Sequence, residues 1–223
     1  MRVERSFAFL DLCGFTSLTS TEGDEKATSV LADFRASLRD IASRRGVRVA
    51  KWLGDGAMVV GVESEPLVSA VLEVEQRVDG GSSPLPIRAG MARGRVILFE
   101  GDDYIGSPVN LAARLCDVAG PRQVLAVPEL ADTAPAWAER SEVRKVRVLG
   151  FAEHIELVRL SLRPGGPGAV LDPVCGLTIP ADAVYAIDPD EATGPGAPTR
   201  FCSVSCAAAW RDRHPPEAVA AGV

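Results

Sequence analysis

Apolar positions along the first 160 residues fall into two alternating rhythms, one of period two and one of period three to four. Ser6 to Asp11 (SFAFLD) alternates and is rich in phenylalanine, so it reads as a strand that Gly14 ends. Thr16 to Thr21 offers several helix N-cap residues. Asp24 to Arg45 then carries Val30, Leu31, Phe34, Leu38 and Ile41 at helical spacing above a polar face. Val47 to Leu53 and Ala57 to Val62 are apolar runs on either side of Gly54-Asp55-Gly56, a hairpin signal. Pro66 to Val78 predicts a second helix, and Gly80 to Pro84 a loop. Ile87 to Met91 and Arg95 to Phe99 read as a strand pair, Pro108 to Val118 as a third amphipathic helix, and Gln123 to Val127 as a strand. Val143 to Val148 and Ile155 to Leu160 complete the set. Interleaved strands and helices with several hairpins predict an α+β fold, a mainly antiparallel sheet with helices packed over it.

After Leu162 the rhythm stops. Arg163 to Gly168 (RPGGPG) opens a linker over 163–170, and a short segment over 171–214 follows. That segment is too small to hold a core without a staple such as a metal. The last residues, 215–223, read as a disordered tail. One full domain and a small appendage account for the 223 residues.

Composition narrows the class. The hydrophobic share of 47% and charged share of 24% are those of a folded protein, which excludes disorder as the main state. The net charge of −6 and the lack of a basic stripe argue against a nucleic-acid partner. No apolar run approaches the roughly 20 residues of a membrane helix. With Met1 just ahead of the first strand and no cleavable apolar leader, the chain reads as cytoplasmic, with no sensor domain upstream.

The candidate chemistry begins with two carboxylates. Asp11 ends a strand and Asp55 tips a hairpin, so both can converge on divalent cations; oxygen ligands of this kind suit Mg²⁺ or Mn²⁺ held jointly with phosphates. Between them, Leu12-Cys13-Gly14-Phe15-Thr16 turns toward a helix whose first N–H groups favour anionic oxygens. Lys51 and Asp103 supply one donor and one acceptor, the pattern that adenine's N1 and exocyclic amine require and that guanine reverses. Asn110 and Arg114 lie four apart on one helix face, where an arginine can meet a phosphoryl group bidentately. Each feature also has a plain structural reading: a turn aspartate, an ordinary strand-to-helix turn, a pair of solvated charges, a polar helix surface.

Taken together, FAFLDLCGFTSL, KWLGDGAMVV and DYIGSPVNLAARL resemble, in order and spacing, the signature segments of the class III adenylate/guanylate cyclases, over about Arg5 to Leu160. The resemblance implies a ferredoxin-like cyclase homology domain acting as a homodimer on ATP. It implies that Asp11, Asp55 and the Leu12 carbonyl hold two Mg²⁺ or Mn²⁺ ions, that Cys13 to Thr16 cradle phosphate, and that Lys51 and Asp103 select adenine. By the same likeness Asn110 orients the ribose and Arg114 stabilises the transition state, both from the other subunit. The ribose 3′-hydroxyl then attacks the α-phosphorus, yielding cyclic AMP and pyrophosphate. One position departs from the pattern: Leu149 stands where the family often has a triphosphate-binding lysine, with Lys145 and Arg147 nearby. A catalytically silent nucleotide-binding protein, or a metal sensor, is the alternative.

Five cysteines, an odd number in a reducing compartment, disfavour a disulfide framework. Cys13 and Cys116 read as buried apolar residues. Cys175, Cys202 and Cys206 cluster late, and thiolates select Zn²⁺ or Cu⁺. The segments DPVCG and FCSVSC resemble those of a YHS domain, a small metal-binding module, over about Leu171 to Arg213. Three cysteines leave a tetrahedral site one ligand short, with His214 as a candidate fourth, and fusion to the larger domain suggests that metal regulates it.

Overall fold

A computed structural model describes residues 1–78, 83–101, 103–184, 186–187 and 199–214. The expected tail, 215–223, and most of the Gly80 to Pro84 loop lie outside the described residues. The chain divides into two compact units, Met1–Leu162 and Arg163–Val223.

In the first unit the strands are β1 (Arg2–Leu12), β2 (Arg48–Leu53), β3 (Gly56–Gly61), β4 (Ile87–Phe99), β5 (Asp103–Ile105), β6 (Gln123–Ala126), β7 (Ala138–Arg140), β8 (Arg144–Arg147) and β9 (His154–Leu162). The helices are α1 (Phe15–Glu22), α2 (Asp24–Arg45), α3 (Ser64–Arg77), α4 (Ser107–Val118) and the single turn α5 (Pro128–Ala131). The sheet runs β2-β3-β1-β4-β6-β9-β7, with β5 added to β4 and β8 to β9. Only the β4–β6 pairing is parallel among those described, so the mainly antiparallel expectation holds.

Period two divides β1 between two environments. Ser6, Ala8, Leu10 and Leu12 point to one face and are all buried. There the Ser6 hydroxyl meets that of Ser64, at the start of α3, at 2.8 Å. The face is covered by α3, with buried Leu67, Val68 and Val71, and by α2 beside it, with buried Val30, Phe34 and Leu38. Buried Glu73 of α3 ties the two helices, accepting from Arg44 at 2.6 Å and Arg45 at 2.9 Å.

Phe7, Phe9 and Asp11 point to the other face. Gly90 pairs with Phe9, and a Cβ on Gly90 would lie 2.1 Å from the Cys116 backbone nitrogen, so the missing side chain is what lets α4 lie against the sheet.

Ile87 to Met91 and Arg95 to Phe99 are not a strand pair but one continuous strand, β4. Ala92, Arg93 and Gly94 keep their pairing with Phe7, Ser6 and Arg5 of β1, so the glycine that reads as a turn lies inside the ladder. The outer half pairs instead with β5. Thr16 to Thr21 do not supply N-caps. They lie inside α1, where Thr19, Ser20 and Thr21 return their hydroxyls to the carbonyls of Phe15, Thr16 and Ser17.

The second unit contains β10 (Val170–Leu171) paired with β11 (Thr178–Ile179), β12 (Ala186–Ile187) paired with β13 (Arg200–Phe201), a 3₁₀ turn at Ala181–Ala183, and α6 (Val204–Arg213). Among its described residues the buried apolar groups are Leu177, Ile179, Pro180, Ala183, Phe201, Ala207 and two cysteines, a small set for a domain core.

Candidate active site and a thiol cluster

Asp11 closes β1 and Asp55 lies in the β2–β3 turn, at the same end of the sheet, because Asp11 pairs with Gly56. That turn sits close: a Cβ on Gly56 would come 2.6 Å from the Leu10 carbonyl and 3.3 Å from Asp11 Oδ1. On the helix side, Arg35 of α2 donates Nη2 to the Gly54 carbonyl at 2.8 Å and lies over the Trp52 ring at 5.0 Å, fastening the turn from beneath. Asp11, Asp55 and the Leu12 to Thr16 segment, with Arg88, Ala119 and Pro121, line one open cleft of about 530 Å³.

Gly14 takes φ +88° and places its carbonyl to accept the first intrahelical bond of α1, from Leu18 N–H at 3.0 Å. The N–H groups of Phe15, Thr16 and Ser17 precede that bond and face the cleft end of the helix. Oxygen donors beside a helix start fit hard divalent ions shared with phosphate. Burial pushes the Asp55 carboxyl up; a bond from its own backbone pulls against this, the Asp11 charge adds to the rise, and Arg88 opposes it.

Arg88 is a cleft residue that sequence reasoning missed. It donates Nε and Nη2 to Asp11 Oδ2 at 2.9 and 2.7 Å, and the bond raises the guanidinium pKa against partial burial. Its signal was a charge inside the apolar run IRAGMA, on the same face as Asp11 by pairing. Cys13 is half-buried and lines the cleft, against the expectation of a buried apolar residue, because the turn at Gly14 carries it to the rim. Cys116 is buried as expected, and its thiol is pushed up to about 12 by burial and by the Asp11 charge.

Lys51 and Asp103 are brought together. Their side chains meet at 2.8 Å. A bulge between Val49 and Lys51 makes this possible by turning Arg48 and Lys51 to one face, although they are three residues apart. Arg48 reaches the Tyr104 hydroxyl at 3.2 Å while Tyr104 packs edge-on against Phe7 at 5.3 Å, so β5 lies over the β1 face. Lys51 holds the Asp103 carboxyl below its usual range, helped by the Tyr104 N–H.

Asn110 and Arg114 are exposed on α4 and are not among the residues that line the cleft shared by Asp11 and Asp55; Arg114 pairs with Asp117 at 3.0 Å. Leu149 is 78% exposed beside Gly150, in the turn between β8 and β9, and Lys145 pairs across the strands with Glu156 at 3.2 Å.

Solved structures share the fold of the first unit. The first unit has the nucleotide cyclase fold. The adenylyl cyclase CyaB from P. aeruginosa matches with a TM-score of 0.62 and 25% identity, over 74% of this chain and 96% of that one. A guanylate cyclase domain from Catenaria anguillulae in complex with GTP matches with a TM-score of 0.64 and 16% identity, over 74% of this chain and 100% of that one. Among curated relatives of this cyclase-fold chain, an uncharacterized protein of Mycobacterium tuberculosis is 39% identical over 129 residues, 58% of this chain and 34% of its own length. The pH-sensitive adenylate cyclase of the same species is 32% identical over 173 residues, 74% of this chain and 43% of its own length. The chain thus spans between about a third and two fifths of the curated relatives it matches. No protein-family model matches it. No helix among the described residues is long and apolar enough to cross a membrane.

In the second unit Cys175 Sγ lies 3.6 Å from Cys202 Sγ, which lies 3.7 Å from Cys206 Sγ. His214 is not with them. Its ring stacks on Trp210 at 4.1 Å and its Nδ1 lies 3.0 Å from the Trp210 carbonyl, one helical turn back, because it caps the far end of α6 while Cys206 lies in the first turn. Asp172 is with them, and was overlooked because aspartate before proline reads as a turn residue.

Proposed function

We propose that the first unit is a class III adenylate cyclase that converts ATP to 3′,5′-cyclic AMP and pyrophosphate. The observation that carries this reading is the convergence of Asp11 and Asp55 on one cleft beside the start of α1.

Asp11, Asp55 and the Leu12 carbonyl would hold two Mg²⁺ or Mn²⁺ ions. Bound there, the ions supply charge neutralisation for the triphosphate and acidity for the ribose 3′-hydroxyl. In the Cys13 to Thr16 segment the N–H groups of Phe15 and Thr16, at the start of α1, donate to phosphate oxygens, while the Cys13 N–H is held by the Pro86 carbonyl; Arg88 is the cation that exchanges Asp11 for a phosphate oxygen. Lys51 donates to adenine N1 and Asp103 accepts from the exocyclic amine. The 3′-hydroxyl gives up its proton to solvent, the 3′-oxygen bonds to the α-phosphorus, the bond from that phosphorus to the bridging oxygen breaks, and pyrophosphate carries off the electron pair.

Asn110 and Arg114 lie away from this cleft, so a second copy brings them: Asn110 of the partner subunit orients the ribose and Arg114 of the partner subunit meets the developing charge. Exposed Leu53, Ile97, Phe99 and Ile105 on β2, β4 and β5 supply apolar surface for such a contact. In the second unit Cys175, Cys202 and Cys206 form a soft-metal centre for Zn²⁺ or Cu⁺, whose occupancy regulates the cyclase.

Purified chain with Mn²⁺ and either ATP or GTP tests the reading. Cyclic AMP from ATP that disappears in Asp55→Ala supports it. Nucleotide binding without product, or cyclic GMP as the main product, contradicts it.

A further inference from the structure

The Asp172 carboxylate is 1% exposed, and among the described residues no lysine, arginine or histidine pairs with it. Its Oδ1 accepts from the backbone N–H of Val174 at 2.8 Å and of Cys175 at 3.1 Å, and its Oδ2 from that of Cys202 at 2.7 Å. Three neutral donors orient a buried carboxylate without balancing its charge, and buried charges in proteins are paired or bind metal. A carboxylate oxygen carries two lone pairs, so Oδ2, with one N–H bond, keeps one to give.

Three thiols lie close to one oxygen of this carboxylate. One ligand atom from each of Asp172, Cys175, Cys202 and Cys206 falls within 4.8 Å of every other. A tetrahedral zinc with metal–sulfur bonds of about 2.3 Å sets its sulfurs about 3.8 Å apart, and the two sulfur separations here are 3.6 and 3.7 Å. The sequence spacings agree: Asp172 and Cys175 have two residues between them, Cys202 and Cys206 three, within the two-to-four usual for paired zinc ligands. Cys206 lies in the first turn of α6, where its N–H bonds the capping Ser203 hydroxyl at 3.2 Å and the helix start favours thiolate.

We infer that Asp172 is the fourth ligand of a zinc centre, one carboxylate oxygen with three thiolates, rather than a brace for a three-thiolate site. An oxygen in the set separates the metals: Zn²⁺ takes mixed sulfur and oxygen donors in a tetrahedron, whereas a three-thiolate pocket suits Cu⁺. The centre also staples a unit with few buried apolar groups among its described residues. This inference rests on the metal-centre reading of the cysteines and is independent of cyclase activity.

The full chain, stripped of metal and titrated with Zn²⁺ against a chromophoric chelator and then with Co²⁺, tests it. The wild type takes up one ion per chain and its cobalt form shows the intense visible bands of a tetrahedral site. Asp172→Asn weakens zinc by at least about tenfold. Asp172→Cys restores affinity and raises the thiolate-to-cobalt charge-transfer absorbance by about a third, from three sulfurs to four. A wild type that takes up neither ion overturns the metal centre itself. A wild type that loads normally, with unchanged zinc affinity in Asp172→Asn, or with Asp172→Cys taking no cobalt or giving three-thiolate absorbance, overturns the role of Asp172 alone.

Discussion

Arg88 grips Asp11 with two nitrogens on a single oxygen, Nε at 2.9 Å and Nη2 at 2.7 Å, inside the cleft that Asp55 shares. The Asp11 oxygen that a metal ion would take is therefore held by a cation that can itself turn to an anionic ligand. Replacing Arg88 by Ala is expected to raise the KM for ATP by about 10- to 100-fold, the worth of a hydrogen bond to a charged group. Steady-state kinetics at saturating Mn²⁺ measure it; an unchanged KM counts against a phosphate role for Arg88.

Lys51 and Asp103 already contact one another across the sheet face. If this pair reads adenine, Lys51→Ala costs at least about tenfold in the ATP-to-GTP ratio of kcat/KM, since a site that hydrogen-bonds its substrate discriminates by what it leaves unpaired. Because Lys51 holds the Asp103 carboxyl below its usual range, Asp103 stays ionised at neutral pH and loses its charge only as pH falls through that lowered value. The base preference of the wild type is therefore expected to be flat between about pH 6 and 8. Competition assays with both nucleotides decide this.

Most of this geometry was legible in the sequence because period two puts Phe7, Phe9 and Asp11 on one face and the Gly-Asp-Gly turn marks the hairpin. The unbroken run of β4 was not legible, since a glycine inside a ladder looks like one in a turn. Nor was the alignment of Arg48 with Lys51, which depends on a bulge that strand alternation does not signal. Arg88 and Asp172 were hidden differently: their importance lies in partners 77 and 30 residues away in the chain.

Glu73 joins α2 to α3 from a position 1% exposed, and Arg45 beside it is 3% exposed. Glu73→Ala leaves buried guanidinium without its carboxylate, a loss of about 3–5 kcal/mol. The Tm of the first unit should fall by on the order of 10 °C. Asp132→Ala, which breaks the exposed pair with Arg140, should move it by less than about 3 °C. Calorimetry of the two variants checks the contrast.

Cys116 and Cys13 differ in access. With its pKa pushed up to about 12, Cys116 is about one part in 10⁴ thiolate at pH 8. Thiolate is the reactive form, so alkylation there is expected to be negligible in the folded chain and to rise with pH. Cys13, raised mainly by burial but lining the cleft, should react faster, and nucleotide should protect it. Mass spectrometry after a timed iodoacetamide pulse distinguishes them; equal labelling contradicts the assignment.

The measurement that bears most directly on a site shared between two copies is complementation. Asp55→Ala removes a carboxylate from the cleft and Arg114→Ala removes the α4 arginine, and each variant alone should make no cyclic AMP. In an equimolar mixture about half the dimers carry one of each chain and one intact site, so about a quarter of wild-type activity should return. Arg114→Ala that is active by itself, or a mixture that stays silent although the chains associate, would contradict the account.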